Sequence, residues 1–162
     1  MKKIYVEGYP QNNLGDDLFF QLLLSRYPKD MFFFNKANNS KILNSFKNVR
    51  LIDEEIKSII LHIKKFDAFL LIGGSMFQEV GTRRIWFKRW LILFIELLIL
   101  KLNRKKIVFI GFNFGPYKSK VFLRLYKLLF SLVDYLSVRD EYTFNLLKEN
   151  SGDEILMNRK RV

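Results

Sequence analysis

Short apolar runs alternate along this chain with longer stretches of helical periodicity. The runs Lys3–Glu7, Met31–Phe34, Val49–Ile52, Ala68–Ile72, Lys106–Ile110 and Tyr135–Val138 read as strands, with a weaker one at Glu154–Met157. Their near-continuous apolarity, bounded in several places by Gly or Asp, suits strands covered on both faces of a parallel sheet. Between them, Leu14–Tyr27, Asp53–Lys64, Arg84–Leu102, Ser119–Leu132 and Glu141–Glu149 read as helices. Asp53-Glu54-Glu55 puts negative charge where a helix dipole is positive, and Asp140 is placed to N-cap the last helix. The polar, Asn-rich stretch Asn35–Asn48 leaves its helix open. This alternation predicts a doubly wound, mostly parallel, Rossmann-like α/β sheet with right-handed crossovers. Ligands of such sheets bind beyond the carboxyl ends of the strands. Neither an internal repeat nor a low-complexity linker interrupts the pattern, so one domain is expected.

Composition narrows the chemistry. The 162 residues include 17 Phe and no Cys, which excludes a disordered chain, a thiolate metal site and a cysteine nucleophile. The one His, His62, sits beside Lys64 and Lys65 and reads as a surface residue; no metal site is expected. The formal charge is +12, and it is uneven: Arg83 to Lys127 holds 12 basic residues and one acidic residue, Glu96. Such a band attracts anionic lipid headgroups or phosphorylated molecules, or serves only to solubilise apolar helices. Nucleic acid is a weaker partner, because the cations interleave with long aliphatics and no nucleic-acid motif is present. The longest apolar run, Trp90–Leu100, falls well short of the roughly 20 residues that span a bilayer. It reads as a core helix, with contact against a membrane surface as the alternative. No secretory leader follows Met1-Lys2-Lys3, so a cytoplasmic protein, peripheral at most to the inner membrane face, is expected.

Four segments at strand ends carry candidate chemistry. In Gly8–Asp17, Gly15 permits close backbone approach, while Asp16 and Asp17 serve either as helix caps or as acceptors for sugar hydroxyls. Gly73-Gly74-Ser75, with Gln78, forms either an anion- or hydroxyl-binding nest or a tight capped turn. In Gly111–Tyr117, Phe112 and Phe114 flank Asn113 as an apolar wall beside a polar contact, or Gly115-Pro116 simply fixes a turn. Arg139, ending a strand on the side of Ser137, is a carboxylate or phosphate ligand, or else a structural partner of Asp140 or Glu141.

In order, Asn12–Asp17 (NNLGDD), Phe66–Glu79 (FDAFLLIGGSMFQE), Ile110–Tyr117 (IGFNFGPY) and Leu136–Leu147 (LSVRDEYTFNLL) resemble the polysaccharide pyruvyl transferase family. The resemblance runs from Lys3 to about Lys148. It implies one half of a GT-B-like pair of Rossmann-type domains, with residues 1–150 as the amino-terminal domain and 151–162 as a basic tail where a second domain would follow. It also implies transfer of the pyruvyl group of phosphoenolpyruvate, a donor substrate and not a cofactor, onto two hydroxyls of a sugar, often lipid-linked, in a cell-surface polysaccharide precursor. By that resemblance Arg139 contributes to the phosphoenolpyruvate clamp. Asn13, Asp16, Ser75, Gln78 and Asn113, framed by Gly15, Gly73, Gly74, Gly111 and Gly115, line the acceptor side. Asp16 is the best carboxylate on offer as general acid. A chain lacking the second wall is not expected to turn over alone; a separate second domain or another copy would complete it. The competing reading is a non-catalytic α/β module docking on anionic membrane or on polysaccharide-assembly proteins.

Overall fold

A computed structural model describes residues 1–8, 14–36, 41–52 and 63–148, apart from the Asp16 side chain. Six strands form one all-parallel sheet: β1 (Lys3–Glu7), β2 (Met31–Asn35), β3 (Val49–Ile52), β4 (Ala68–Ile72), β5 (Lys106–Phe112) and β6 (Tyr135–Val138). The strand order is β3-β2-β1-β4-β5-β6. The switch in winding direction therefore falls between β1 and β4, where open α/β sheets place their ligands. The helices are α1 (Leu14–Arg26), a short α2 (Lys41–Asn44), α3 (Arg83–Leu102), α4 (Lys120–Ser131) and α5 (Glu141–Lys148). The expected helix Asp53–Lys64 lies outside the described residues up to residue 62, and Ile63–Lys65 form a single 3-10 turn. His62, Asn13, the expected strand Glu154–Met157 and the 151–162 tail also lie outside them.

Alternate residues of β1, β2, β4 and β5 feed two cores, one on each face of the sheet. Val6, Phe32, Phe34, Leu70 and Ile72 pack with Phe20 and Leu24 of α1 and Leu43 of α2. Tyr5, Phe69, Leu71, Ile107 and Phe109 pack on the other face with α3 and α4. Glu7 shares parity with Tyr5 and pairs in register with Leu71, so it stands on the α3 face.

One departure from the sequence reading matters for the site. The fifth strand does not stop at Ile110 but runs to Phe112, with a register shift between Ile110 and Phe112. The extra residue, Gly111, resets the two-residue period, so Phe112 joins Phe109 on the α3–α4 face instead of pointing to α1. Phe112 and Phe114 are therefore core anchors at 0% and 1% exposure, not the wall of a binding cleft.

Apart from Glu96, the run Trp90–Leu100 of α3 is apolar on all sides. Trp86, Trp90, Leu97 and Leu100 face the core, and the Trp90 indole N–H donates to the Leu125 carbonyl at 2.9 Å, tying α3 to α4. On the opposite face Leu91, Ile95, Leu98 and Leu102 are exposed at spacings of four, three and four residues. No helix among the described residues is long and apolar enough to cross a membrane. In a parallel sheet α3 starts at the carboxyl edge and ends at the amino edge, so the basic band of the sequence divides. Arg83, Arg84, Lys88 and Arg89 lie toward one edge and Lys101 to Lys106 toward the other. There Asp134 accepts from Lys101 at 2.8 Å and from the backbone N–H of Ile107 at 2.8 Å. These partners, outweighing its burial, hold the Asp134 carboxyl below its ordinary range.

Candidate functional site at the carboxyl edge

The segments after β4, β5 and β6 are stitched together by backbone hydrogen bonds. The Gly73 N–H donates to the Ile110 carbonyl at 2.9 Å, Gly115 to Phe77 at 2.8 Å, Glu79 to Pro116 at 3.1 Å and Arg139 to Phe112 at 3.1 Å. Phe77 and Phe114 also form an isolated parallel bridge. The turn after β4 needs its glycines: φ is 73° at Gly73 and 86° at Gly74, a region that other residues rarely adopt. Because the Gly73 N–H is already bonded, the nest expected there is narrower than the sequence suggests. Gly8 has a different reason, close approach. A Cβ at this position would stand 2.6 Å from the Phe20 ring and 2.8 Å from the Ile72 carbonyl oxygen.

Side chains then lock the loops onto the helices behind them. The Glu79 carboxylate accepts from the backbone N–H groups of Lys118 and Ser119 at the start of α4. Those bonds outweigh desolvation and hold its carboxyl below the ordinary range. The Phe114 N–H donates to the buried Thr143 hydroxyl at 3.0 Å, which donates in turn to Asp140 at 2.9 Å. Asp140 also accepts from the Thr143 N–H at 2.7 Å, the N-cap expected from the sequence.

The predicted site residues divide into those brought together and those dispersed. Ser75 is exposed and Gln78 half-buried on the segment that bonds to Gly111–Pro116, so Ser75, Gln78, Asn113 and Gly115 do share one edge. Gly111 sits beneath the ring of Phe19 in α1, which brings the first turns of α1 to the same edge. Gly15 lies exposed in the first turn of α1. Arg139 is exposed, and among the described residues no ion pair reaches it; Asp140 is committed to Thr143. Among the described residues three buried side-chain oxygens have no hydrogen-bond partner, and two of them belong to predicted loop segments, one each on Asp17 and Asn113. An orphaned buried acceptor costs roughly 1–3 kcal/mol, which a ligand hydroxyl would recover. A separate 240 Å³ cavity between the starts of α3 and α4 is lined by Arg83, Lys118 and Glu79.

The sequence reading missed one carboxyl pair. Glu7 ends β1, and Glu96 of α3 is 4% exposed, with one oxygen lacking any partner. Both line an open cavity of 400 Å³ together with Arg89, Tyr126, Met76 and Phe77. Burial raises Glu7 to about 7, and burial plus the charge of Glu7 raises Glu96 to about 9. The available signal was a lone acid in each of two apolar runs. A sequence profile of the polysaccharide pyruvyl transferase family matches residues 13–155. No curated protein and no solved structure matches the chain.

Proposed function

Because this chain belongs to the polysaccharide pyruvyl transferase family, we propose that its carboxyl-edge loops bind phosphoenolpyruvate and a sugar for transfer of the pyruvyl group. The sugar is part of a cell-surface polysaccharide precursor. The observation that carries this reading is a mismatch along one edge: among the described residues Arg139 has a charge and no anion, while Asp17 and Asn113 have acceptor oxygens and no donor. An anionic donor substrate and a hydroxyl-bearing acceptor would supply what each lacks. Arg139 holds the phosphate or carboxylate of phosphoenolpyruvate, and Arg83 and Lys118, which line a separate cavity, are further cations on this domain. Asn113, Ser75 and Gln78 orient the acceptor hydroxyls. A second Rossmann-type domain, facing this edge, completes the site.

Titration calorimetry with phosphoenolpyruvate tests the assignment. The wild-type chain binds it, and Arg139→Ala weakens binding by about 10- to 100-fold, the worth of a charge-assisted contact. Wild-type protein that takes up no phosphoenolpyruvate, or Arg139→Ala protein that binds equally well, contradicts it.

The outer face of α3 favours an accompanying role at a membrane. Leu91, Ile95, Leu98 and Leu102 are exposed along one stripe, and Arg83, Arg84, Lys88 and Arg89 crowd its first turns. The band's one acid, Glu96, is buried and does not offset them. This is the chemistry of a helix lying on an anionic surface. In flotation assays the chain should rise with vesicles containing phosphatidylglycerol and stay behind with phosphatidylcholine alone. Equal recovery with both removes the electrostatic part of the role.

A further inference from the structure

The cavity at the end of β1 has its own chemistry, using none of the groups assigned above to phosphoenolpyruvate. Its titratable groups come from three elements: Glu7 from β1, Glu96 and Arg89 from α3, and Tyr126 from α4. Two carboxyls lining one cavity repel, and the cheapest remedy is to keep one proton between them. Burial pushes the Tyr126 hydroxyl up to about 12, so it too keeps its proton. The cavity therefore offers hydroxyl and acid donors, carboxylate acceptors, and apolar contact from Met76 and Phe77. Its 400 Å³ falls within the roughly 300–1,000 Å³ of small-molecule sites.

Two ligand classes are disfavoured by these groups. A divalent cation would face Arg89 and have to displace the retained proton, with only two carboxylates to hold it. A phosphate would meet the negative charge of the pair. A neutral polyol meets neither objection: adjacent hydroxyls each donate and accept, matching a pair that does the same, and one ring face is apolar. The unpartnered Glu96 oxygen, nine-tenths and more buried, is the vacancy such a hydroxyl would fill.

We propose that this cavity is a seat for a pyranose sugar, held by two neighbouring hydroxyls on the Glu7–Glu96 carboxyl pair. The site stands whether or not pyruvyl transfer is the reaction at the loops. Beside that reaction, it gives a saccharide of more than one unit a second point of attachment.

The test follows the carboxyl carbons of the whole chain, labelled with 13C at glutamate, by NMR near neutral pH while methyl α-glucoside or methyl α-galactoside is added. Saturable shifts of the Glu7 and Glu96 signals are expected. Glu7→Gln, which removes the charged acceptor, should weaken binding about tenfold. Glu96→Gln keeps a neutral group that both donates and accepts, so binding should stay within about threefold. Glu96→Leu should abolish it; should that protein not fold, the two Gln variants decide. Neither glycoside moving either signal, or Glu7→Gln binding as well as wild type, overturns the proposal.

Discussion

Replacing Phe77 with alanine should destabilise the fold by about 3–5 kcal/mol, read as a lower urea midpoint at unchanged slope. Phe77 is 2% exposed and stands where the segment after β4 meets β5 and α4. Its ring stacks on Phe109 at 5.9 Å and meets Phe112 at 5.1 Å, Phe130 at 5.2 Å and Tyr126 at 5.6 Å edge-on or steeply inclined. Edge-to-face pairs add to the area buried, so truncation forfeits packing and leaves a void among rigid rings. A domain is stable by only about 5–15 kcal/mol, so this one ring is a large share. The Phe77 carbonyl also receives the Gly115 N–H, which makes the ring an anchor of the site loops. Phosphoenolpyruvate affinity should fall with stability. A loss below about 1 kcal/mol would mean that the loop holds without its ring.

The second large effect has the opposite sign. Glu96→Gln should stabilise the protein at pH 8, by on the order of 2–4 kcal/mol, and leave it nearly unchanged at pH 5. Burial, and then the charge of Glu7, raise the Glu96 carboxyl from 4.5 to about 9. A carboxyl raised on folding binds its proton more tightly in the native state than in the unfolded chain. Its contribution is thus fully present below pH 4.5 and drains away as pH climbs toward 9. Glutamine imitates the protonated form and carries no such dependence. Thermal unfolding followed between pH 5 and 8 should show a melting point that falls with pH in wild type and a flatter line in the variant. Parallel lines would mean that Glu96 is charged in the fold, with a partner of its own.

Much of the fold was legible because each strand is a short apolar run with an abrupt polar end. Lys3–Glu7, Val49–Ile52, Ala68–Ile72 and Tyr135–Val138 agree with the structure to the residue. The fifth strand was cut short at Ile110 because Gly111 looks like the start of a turn, whereas here it is a bulge within the strand. That one-residue difference decides the fate of Phe112 and Phe114, which a linear pattern cannot assign to a face across a bulge. Asp140 was legible as a cap, because its role depends only on residues three positions away. The Glu7–Glu96 pair was not, since it joins residues from distant elements across one face of the sheet. The division of the basic band was not legible for a related reason: the two ends of a 20-residue helix lie about 30 Å apart.

The chemistry proposed for the edge needs a proton at the methylene carbon, a clamp on phosphate and carboxylate, and oriented acceptor hydroxyls. Arg139 and the unsatisfied oxygens of Asp17 and Asn113 supply the last two from this wall. The central claim is therefore tested most directly by assaying pyruvyl transfer with the second Rossmann-type domain of the proposal supplied in trans. The chain is mixed with the carboxy-terminal Rossmann-type domain of a longer family member, phosphoenolpyruvate and a saccharide acceptor, and the products are followed by mass spectrometry and phosphate assay. One pyruvyl ketal should form on the saccharide for each phosphate released, and Arg139→Ala should abolish both together. Phosphate released without ketal, or neither product with both domains present, would contradict it.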